Sequence, residues 1–152
     1  MCVSFLLVMN MNEKYMNIAF KQAKKAYKKD EVPVGCIIVN KNKIIAKAYN
    51  KKETKNNSLY HAEILAIQQA CKKLKTWRLD DCILYTTMEP CMMCTGAIIQ
   101  SRIKTVYYSI SNNSFGELEN YQKKTNKINI NKGLMQDESF QLIQKFFKQK
   151  RK

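Results

Sequence analysis

The feature that most limits the folding options of this chain is the order in which two hydrophobic periods alternate along it. Apolar residues recur at helical spacing over residues 13–29 (Met16, Ala19, Phe20, Ala23, Ala26, Tyr27) and over 61–74 (Ala62, Leu65, Ala66, Ala70). Between and after them lie short β-rich runs: VGCIIV at 34–39, IIAKAY at 44–49, ILYTT at 83–87 and KTVYYS at 104–109. The polar residues 40–43 join the first two runs as a hairpin. Residues 91–100 read as a third helix with Pro90 near its start. Residues 137–150 read as a closing helix, acidic at its beginning and basic at its end, as the helix dipole prefers. The stretch 111–124 reads as irregular and polar, and 128–130 as a short last strand. This order, α-β-β-α-β-α-β-(β)-α, predicts an α/β fold in which helices cover both faces of a central sheet.

The length, 152 residues, suits one domain that buries roughly 70% of its unfolded surface. A hydrophobic fraction of 45% excludes wholesale disorder, and only 4 Gly and 2 Pro exclude collagen-like and low-complexity architectures. No apolar run approaches the ~20 residues of a membrane-spanning helix. Residues 13–152 are therefore expected to form a single domain. Residues 1–12 contain the apolar stretch CVSFLLVM, without the basic flank and small-residue cleavage site of a signal peptide. With Met9 and Met11 as alternative starts, this segment reads as a frayed arm or a misannotated beginning.

Charge points to a partner. Lys and Arg number 27 against 12 Asp and Glu, a net +15, which favours a polyanion such as RNA. The excess is nearly all Lys, 24 against 3 Arg, beside 14 Asn, a bias that A-rich codons alone would produce. Two stretches concentrate it without any acid: 121–132, and the tail with Lys145, Lys148, Lys150, Arg151 and Lys152. Lys148, Lys150 and Arg151 are candidate phosphate contacts.

Six cysteines (Cys2, Cys36, Cys71, Cys82, Cys91, Cys94) would allow 15 pairings in an oxidising compartment. With no sign of secretion a cytoplasmic location is expected, and there clustered cysteines are metal ligands or catalytic groups first. Cys91 and Cys94 stand in P-C-M-M-C at a helix start. His61, the only histidine, opens a helix in H-A-E, with Glu63 two residues on. Thiolates at i and i+3 share one side of a helical turn, and the helix N-terminus favours their deprotonated form. One His and two Cys make three ligands, the count for a catalytic zinc with an open fourth position for water, whose pKa zinc lowers to about 7. Glu63 sits too near His61 to be a comfortable fellow ligand and is placed to move protons. Taken singly these signals are weak: C-x-x-C also serves redox pairs, and a structural four-Cys zinc would need Cys71 or Cys82, which lack pair-like spacing. Cys36, Cys71 and Cys82 lie in apolar contexts and read as inert.

H-x-E followed by P-C-x-x-C is the signature of the zinc nucleobase deaminases. The chain resembles the bacterial tRNA-specific adenosine deaminases in E-V-P-V-G at 31–35, Asn50, H-A-E-I at 61–64, L-Y-T-T-M-E-P-C-M-M-C-T-G-A at 84–97 and S-R-I at 101–103. The resemblance implies a three-layer α/β/α cytidine-deaminase-like fold with a mixed sheet of about five strands. It implies one Zn2+ per subunit on His61, Cys91 and Cys94, proton transfer by Glu63, and Asn50 against a base flipped from a tRNA anticodon stem-loop. It further implies a homodimer and conversion of the wobble adenosine to inosine. Asn112 falls where the family usually carries an Asp, in a segment several residues shorter, and is a candidate substrate contact. Two alternatives share the motif residues: a deaminase of a free base or nucleoside (guanine, cytosine or cytidine), and a catalytically silent, zinc-stabilised RNA-binding module. Glu63 argues against the latter, since a structural site has no use for it.

Overall fold

The computed structural model describes residues 2–151, with side chains from Met11 to Arg151. The elements run α1 (Cys2–Lys28), β1 (Gly35–Asn40), β2 (Lys43–Tyr49), α2 (Ala62–Leu74), β3 (Cys82–Met88), α3 (Met92–Gln100), β4 (Thr105–Ile110), α4 (Leu118–Thr125), β5 (Asn129–Lys132) and α5 (Gln136–Lys150). The strands form one mixed sheet in the order β2-β1-β3-β4-β5. β1 pairs antiparallel with β2 and β3, whereas β3–β4 and β4–β5 are parallel. The β1–β2 turn is Lys41-Asn42, both at positive φ (49° and 64°). Two such residues give the type I′ geometry whose twist matches the strands. The parallel pairs need crossovers, which α3 and α4 supply.

Strand alternation sorts the apolar side chains onto two faces. Cys36, Ile38, Leu84, Val106 and Tyr108 pack with Ala62 and Ala66 of α2, Ile98 of α3 and Leu118 of α4. Their neighbours Ile37, Val39 and Tyr85 pack with Met16 and Ala19 of α1. The result is the expected three-layer α/β/α arrangement. Gly35 sets how closely α1 approaches. A Cβ there would lie 2.0 Å from the Ala19 carbonyl oxygen and 2.4 Å from the Ala23 nitrogen, so the helix backbone rests on the strand and only glycine fits. α5 completes this layer, with Phe146 edge-on to Tyr27 at 6.5 Å between ring centroids.

Most element ends fall within one residue of the sequence reading, and three departures are larger. α1 starts at Cys2 rather than at residue 13, because no Gly or Pro occurs before Pro33 to stop it. The stretch 1–12 expected as an arm is thus helical backbone from Cys2, and its side chains up to Asn10 lie outside the described residues. The segment read as irregular contains α4, which escapes pattern recognition because only Leu118 of it is buried. The last strand lies one or two residues later than expected, at Asn129–Lys132. Among the described residues, no helix is long and apolar enough to cross a membrane.

Candidate metal centre and active site

The motif residues meet at the C-terminal end of the central strand β3, where two helices begin. His61 and Cys91 are the N-cap residues of α2 and α3, each with extended backbone (φ −77°, ψ 152° and φ −71°, ψ 179°). Glu89-Pro90 ends the β3 ladder and delivers Cys91 to the start of α3. Cys94, one turn further, is completely buried.

His61 Nδ1 lies 3.7 Å from Cys91 Sγ and 3.6 Å from Cys94 Sγ. The three ligand atoms all lie within 4.8 Å of one another. Tetrahedral zinc with Zn–S of about 2.3 Å and Zn–N of about 2.0–2.1 Å places N and S roughly 3.6 Å apart. The donor set therefore fits zinc in chemistry and in spacing.

The three donor atoms perturb one another electrostatically. The hydrogen bond from Cys94, with help from His61, holds the Cys91 thiol well below the ordinary thiol range. That shared hydrogen bond and burial push the Cys94 thiol far above it. His61 is raised chiefly by its contact with Cys91. One thiol therefore ionises more readily than the other, and a metal held by these three atoms would require both thiols deprotonated and Nδ1 without a proton. Cys36, Cys71 and Cys82 are free thiols raised by burial, matching their reading as inert.

Glu63 is buried in the first turn of α2. Cys94 Sγ lies 3.4 Å from its Oε2, and Thr86 Oγ1 on β3 lies 3.1 Å from its Oε1. Burial raises the Glu63 pKa, which makes it a more willing proton carrier near neutral pH.

A cavity of about 570 Å³ opens over these groups, within the range of small-ligand sites. His61, Glu63 and Asn50 line it together with apolar Val32, Val34, Met88 and Met93, and Phe115 and Phe147 also contribute. Asn50 follows β2 directly. Its Nδ2 donates to the Val32 carbonyl at 3.4 Å and its Oδ1 accepts the Lys52 N–H at 3.3 Å, leaving one amide hydrogen and one lone pair for a ligand.

Asn112 also lines the cavity, but its Oδ1 closes a turn by accepting the Phe115 N–H at 3.1 Å. Glu89, a residue that spacing alone did not single out, organises this loop: it accepts the N–H of Asn112 and of Glu119, each at 3.2 Å. Thr86 was also missed, since an alternating β run does not reveal which threonine ends up beneath α2.

Of the candidate phosphate contacts, Lys150 is engaged elsewhere. Its Nζ pairs with Asp30 at 2.6 Å and sits over the Phe146 ring at 5.6 Å. Lys148 and Arg151 are exposed, on the helix end that brings Phe147 to the cavity.

A three-layer fold with a His-Cys-Cys donor set beside a buried glutamate is the architecture of the nucleobase deaminases. Residues 10–151 match the MafB19-like deaminase family, and the chain belongs to that family. It is 39% identical over 150 residues to the tRNA-specific adenosine deaminase of Bacillus subtilis (strain 168), covering 95% of this chain and 93% of that protein. Among solved structures it is similar to a chain from studies of A-to-I editing by tRNA:A34 deaminases at the wobble position, with TM-score 0.81 and 32% identity over 85% of this chain and 98% of that one. It is also similar to the guanine deaminase of Nitrosomonas europaea, with TM-score 0.79 and 26% identity over 88% of this chain and 83% of that one.

Proposed function

We propose that residues 13–152 form a deaminase domain that converts the wobble adenosine of a tRNA anticodon stem-loop to inosine by hydrolysis, releasing ammonia. The observation that carries this reading is the convergence of His61 Nδ1 and the two thiols beside Glu63 under a cavity of about 570 Å³. Its likeness to named tRNA adenosine deaminases over nearly the whole chain supports the choice of substrate.

In this reading His61, Cys91 and Cys94 hold one Zn2+ per subunit. Zinc bound there supplies Lewis acidity that lowers the pKa of water towards neutrality. Glu63 takes one proton from the attacking water and delivers it to the purine ring nitrogen beside C6. It then takes the second proton from the resulting C6 hydroxyl and passes it to the amine, which leaves as ammonia while the C6 carbonyl forms. Asn50 offers a donor and an acceptor to the flipped base, and the apolar walls exclude bulk water from it. Lys148 and Arg151 contact phosphates of the loop, and Asn112 shapes the cavity wall. The protein acts in the cytoplasm as a homodimer, for which the exposed Met92 and Phe115, each 75% accessible, offer apolar surface.

The likeness to a guanine deaminase keeps a second reading in view, in which the same machinery serves a free base. One assay separates the two. Inosine formation is measured on an anticodon stem-loop with adenosine at the wobble position, beside free guanine, cytosine, cytidine and adenosine, with and without a zinc chelator. Chelator-sensitive turnover of the stem-loop alone supports the first reading. Turnover of a free base with the stem-loop untouched overturns it.

A further inference from the structure

Glu31 lies in the turn between α1 and β1, and it is completely buried (0% exposed). Its Oε1 accepts the N–H of Glu53 at 3.0 Å and its Oε2 the N–H of Thr54 at 2.6 Å. The Thr54 hydroxyl donates to the same Oε2. No cation shares this charge: among the described residues Glu31 takes part in none of the ion pairs. A buried carboxylate is costly unless its hydrogen bonds compensate, and an apolar side chain would fill the volume without that cost. What the charge does achieve is specific. All three donors belong to the polar loop over residues 51–58, which follows Asn50 and carries Lys52 to the cavity.

The same turn holds Asn50 from the other side. Asn50 N–H donates to the Val34 carbonyl at 3.1 Å and Nδ2 to the Val32 carbonyl at 3.4 Å. Asn50 Oδ1 in turn accepts from Lys52, one residue before Glu53. The amide is thus held between the Val32 carbonyl and the Lys52 N–H, and Glu31 is the side chain that ties the two segments carrying them together.

We propose that Glu31 is a positioning residue for the substrate base: by pinning Glu53 and Thr54 it fixes the angle at which Asn50 presents its amide to the cavity. The inference rests on the reading in which Asn50 contacts the base. Glu31→Gln keeps the size of the side chain but leaves one oxygen for three donors and turns an NH2 group against an N–H. The loop then loosens while the metal site stays intact. Thr54→Val removes one of the three bonds without touching the carboxylate.

The test is a double-mutant cycle on the zinc-loaded protein, using Glu31→Gln, Asn50→Ala and both together, with Thr54→Val as a milder companion. KM and kcat are measured on the stem-loop, with zinc content and melting temperature recorded for each variant. Glu31→Gln is expected to raise KM about tenfold, as loss of charge-assisted hydrogen bonds implies, with zinc retained and kcat changed less. The decisive readout is the coupling. If Glu31 acts through Asn50, adding Glu31→Gln to Asn50→Ala costs almost nothing more in KM. Additive effects, or a Glu31→Gln variant that loses only melting temperature, overturn the proposal. If the wild type turns over a free base and not the stem-loop, the substrate reading fails on its own, and the same cycle run on that base still decides the role of Glu31.

Discussion

Thr86 on β3 holds Glu63 on α2 from below: Thr86 Oγ1 lies 3.1 Å from Glu63 Oε1 and 3.3 Å from the carbonyl oxygen of Met88. A hydroxyl has one proton and can also accept. Facing an ionised Glu63, Thr86 donates to it. Facing a protonated one, it accepts and turns its own proton to Met88. The pair therefore suits a carboxylate that must gain and lose a proton each cycle. Glu63→Gln is expected to cut kcat by about 10³-fold, within the range for general acid–base groups. Thr86→Val should cut it about tenfold by releasing the carboxylate from its orientation. Single-turnover assays of zinc-replete variants check both. Full activity in Thr86→Val would show that the hydroxyl only fills space.

Metal removal is expected to be felt locally. Cys91 and His61 cap their helices from half-exposed positions, whereas Cys94 is fully buried inside the first turn of α3. Chelation should abolish turnover, and zinc should restore it. Cys91→Ser, His61→Ala and Cys94→Ser should each lose zinc, as read by metal analysis. Cys94→Ser should also lower the melting temperature most, because its hydroxyl replaces a thiol in a dry site beside Glu63.

Much of this was legible because its causes are local. The alternation of periods in 34–39 and 83–87 gave the strands, and H-A-E with P-C-M-M-C gave the donor set. α4 was hidden for a physical reason: a helix that buries little beyond Leu118 has almost no hydrophobic period to read. Glu31, Thr86 and Glu89 were hidden for another. Each acts through a partner 22 or more residues away, Thr86 adding only a local contact to Met88. Asn112 shows the limit from the other side, since its side chain is occupied by a turn that only the folded loop reveals.

That loop yields a prediction of its own. A Cβ on Gly116 would meet the Asn112 carbonyl oxygen at 2.5 Å and Glu89 Oε1 at 2.5 Å. Gly116 also bridges to Cys91 and donates its N–H to the Asn112 carbonyl at 2.8 Å. Gly116→Ala must push the loop off Glu89, at a cost of about 1–3 kcal/mol. It should raise KM as the Asn112 wall shifts. Thermal melting and steady-state kinetics read the two effects, and an unchanged KM would separate this wall from substrate binding.

A pH-dependent contribution to stability is expected at Glu119. The Tyr108 hydroxyl donates to it, and Lys132 lies 3.1 Å away. These contacts, the tyrosine first, hold the Glu119 carboxyl below its ordinary value of 4.5. The folded-state pKa is thus depressed relative to the unfolded chain, so the stabilisation is complete above the unfolded value and disappears as pH falls through the folded one. Because the side chain is about a third exposed, the contribution is about 1 kcal/mol at neutral pH. Glu119→Gln should melt lower than wild type at pH 7, with the difference closing as pH falls below the ordinary carboxyl value of 4.5. A difference that persists unchanged in acid would assign the effect to packing.

The basic end of α5 distinguishes charges that are free to meet RNA from one already engaged. Lys150 pairs with Asp30 and covers the Phe146 ring, whereas Lys148 and Arg151 are exposed beside the segment that lines the cavity. Each phosphate contact adds close to one unit to the salt dependence of RNA binding. Lys148→Ala with Arg151→Ala should therefore weaken stem-loop binding and flatten the dependence of log K on log salt by about two units at most, leaving turnover at saturating RNA nearly unchanged. Lys150→Ala should act differently, changing the slope little while releasing the tie between α5 and Asp30 in the turn after α1. Titrations of the stem-loop at several salt concentrations measure the slopes. Equal effects from Lys150→Ala and the double variant would mean that the net charge of the tail, rather than the placement of its residues, attracts the RNA.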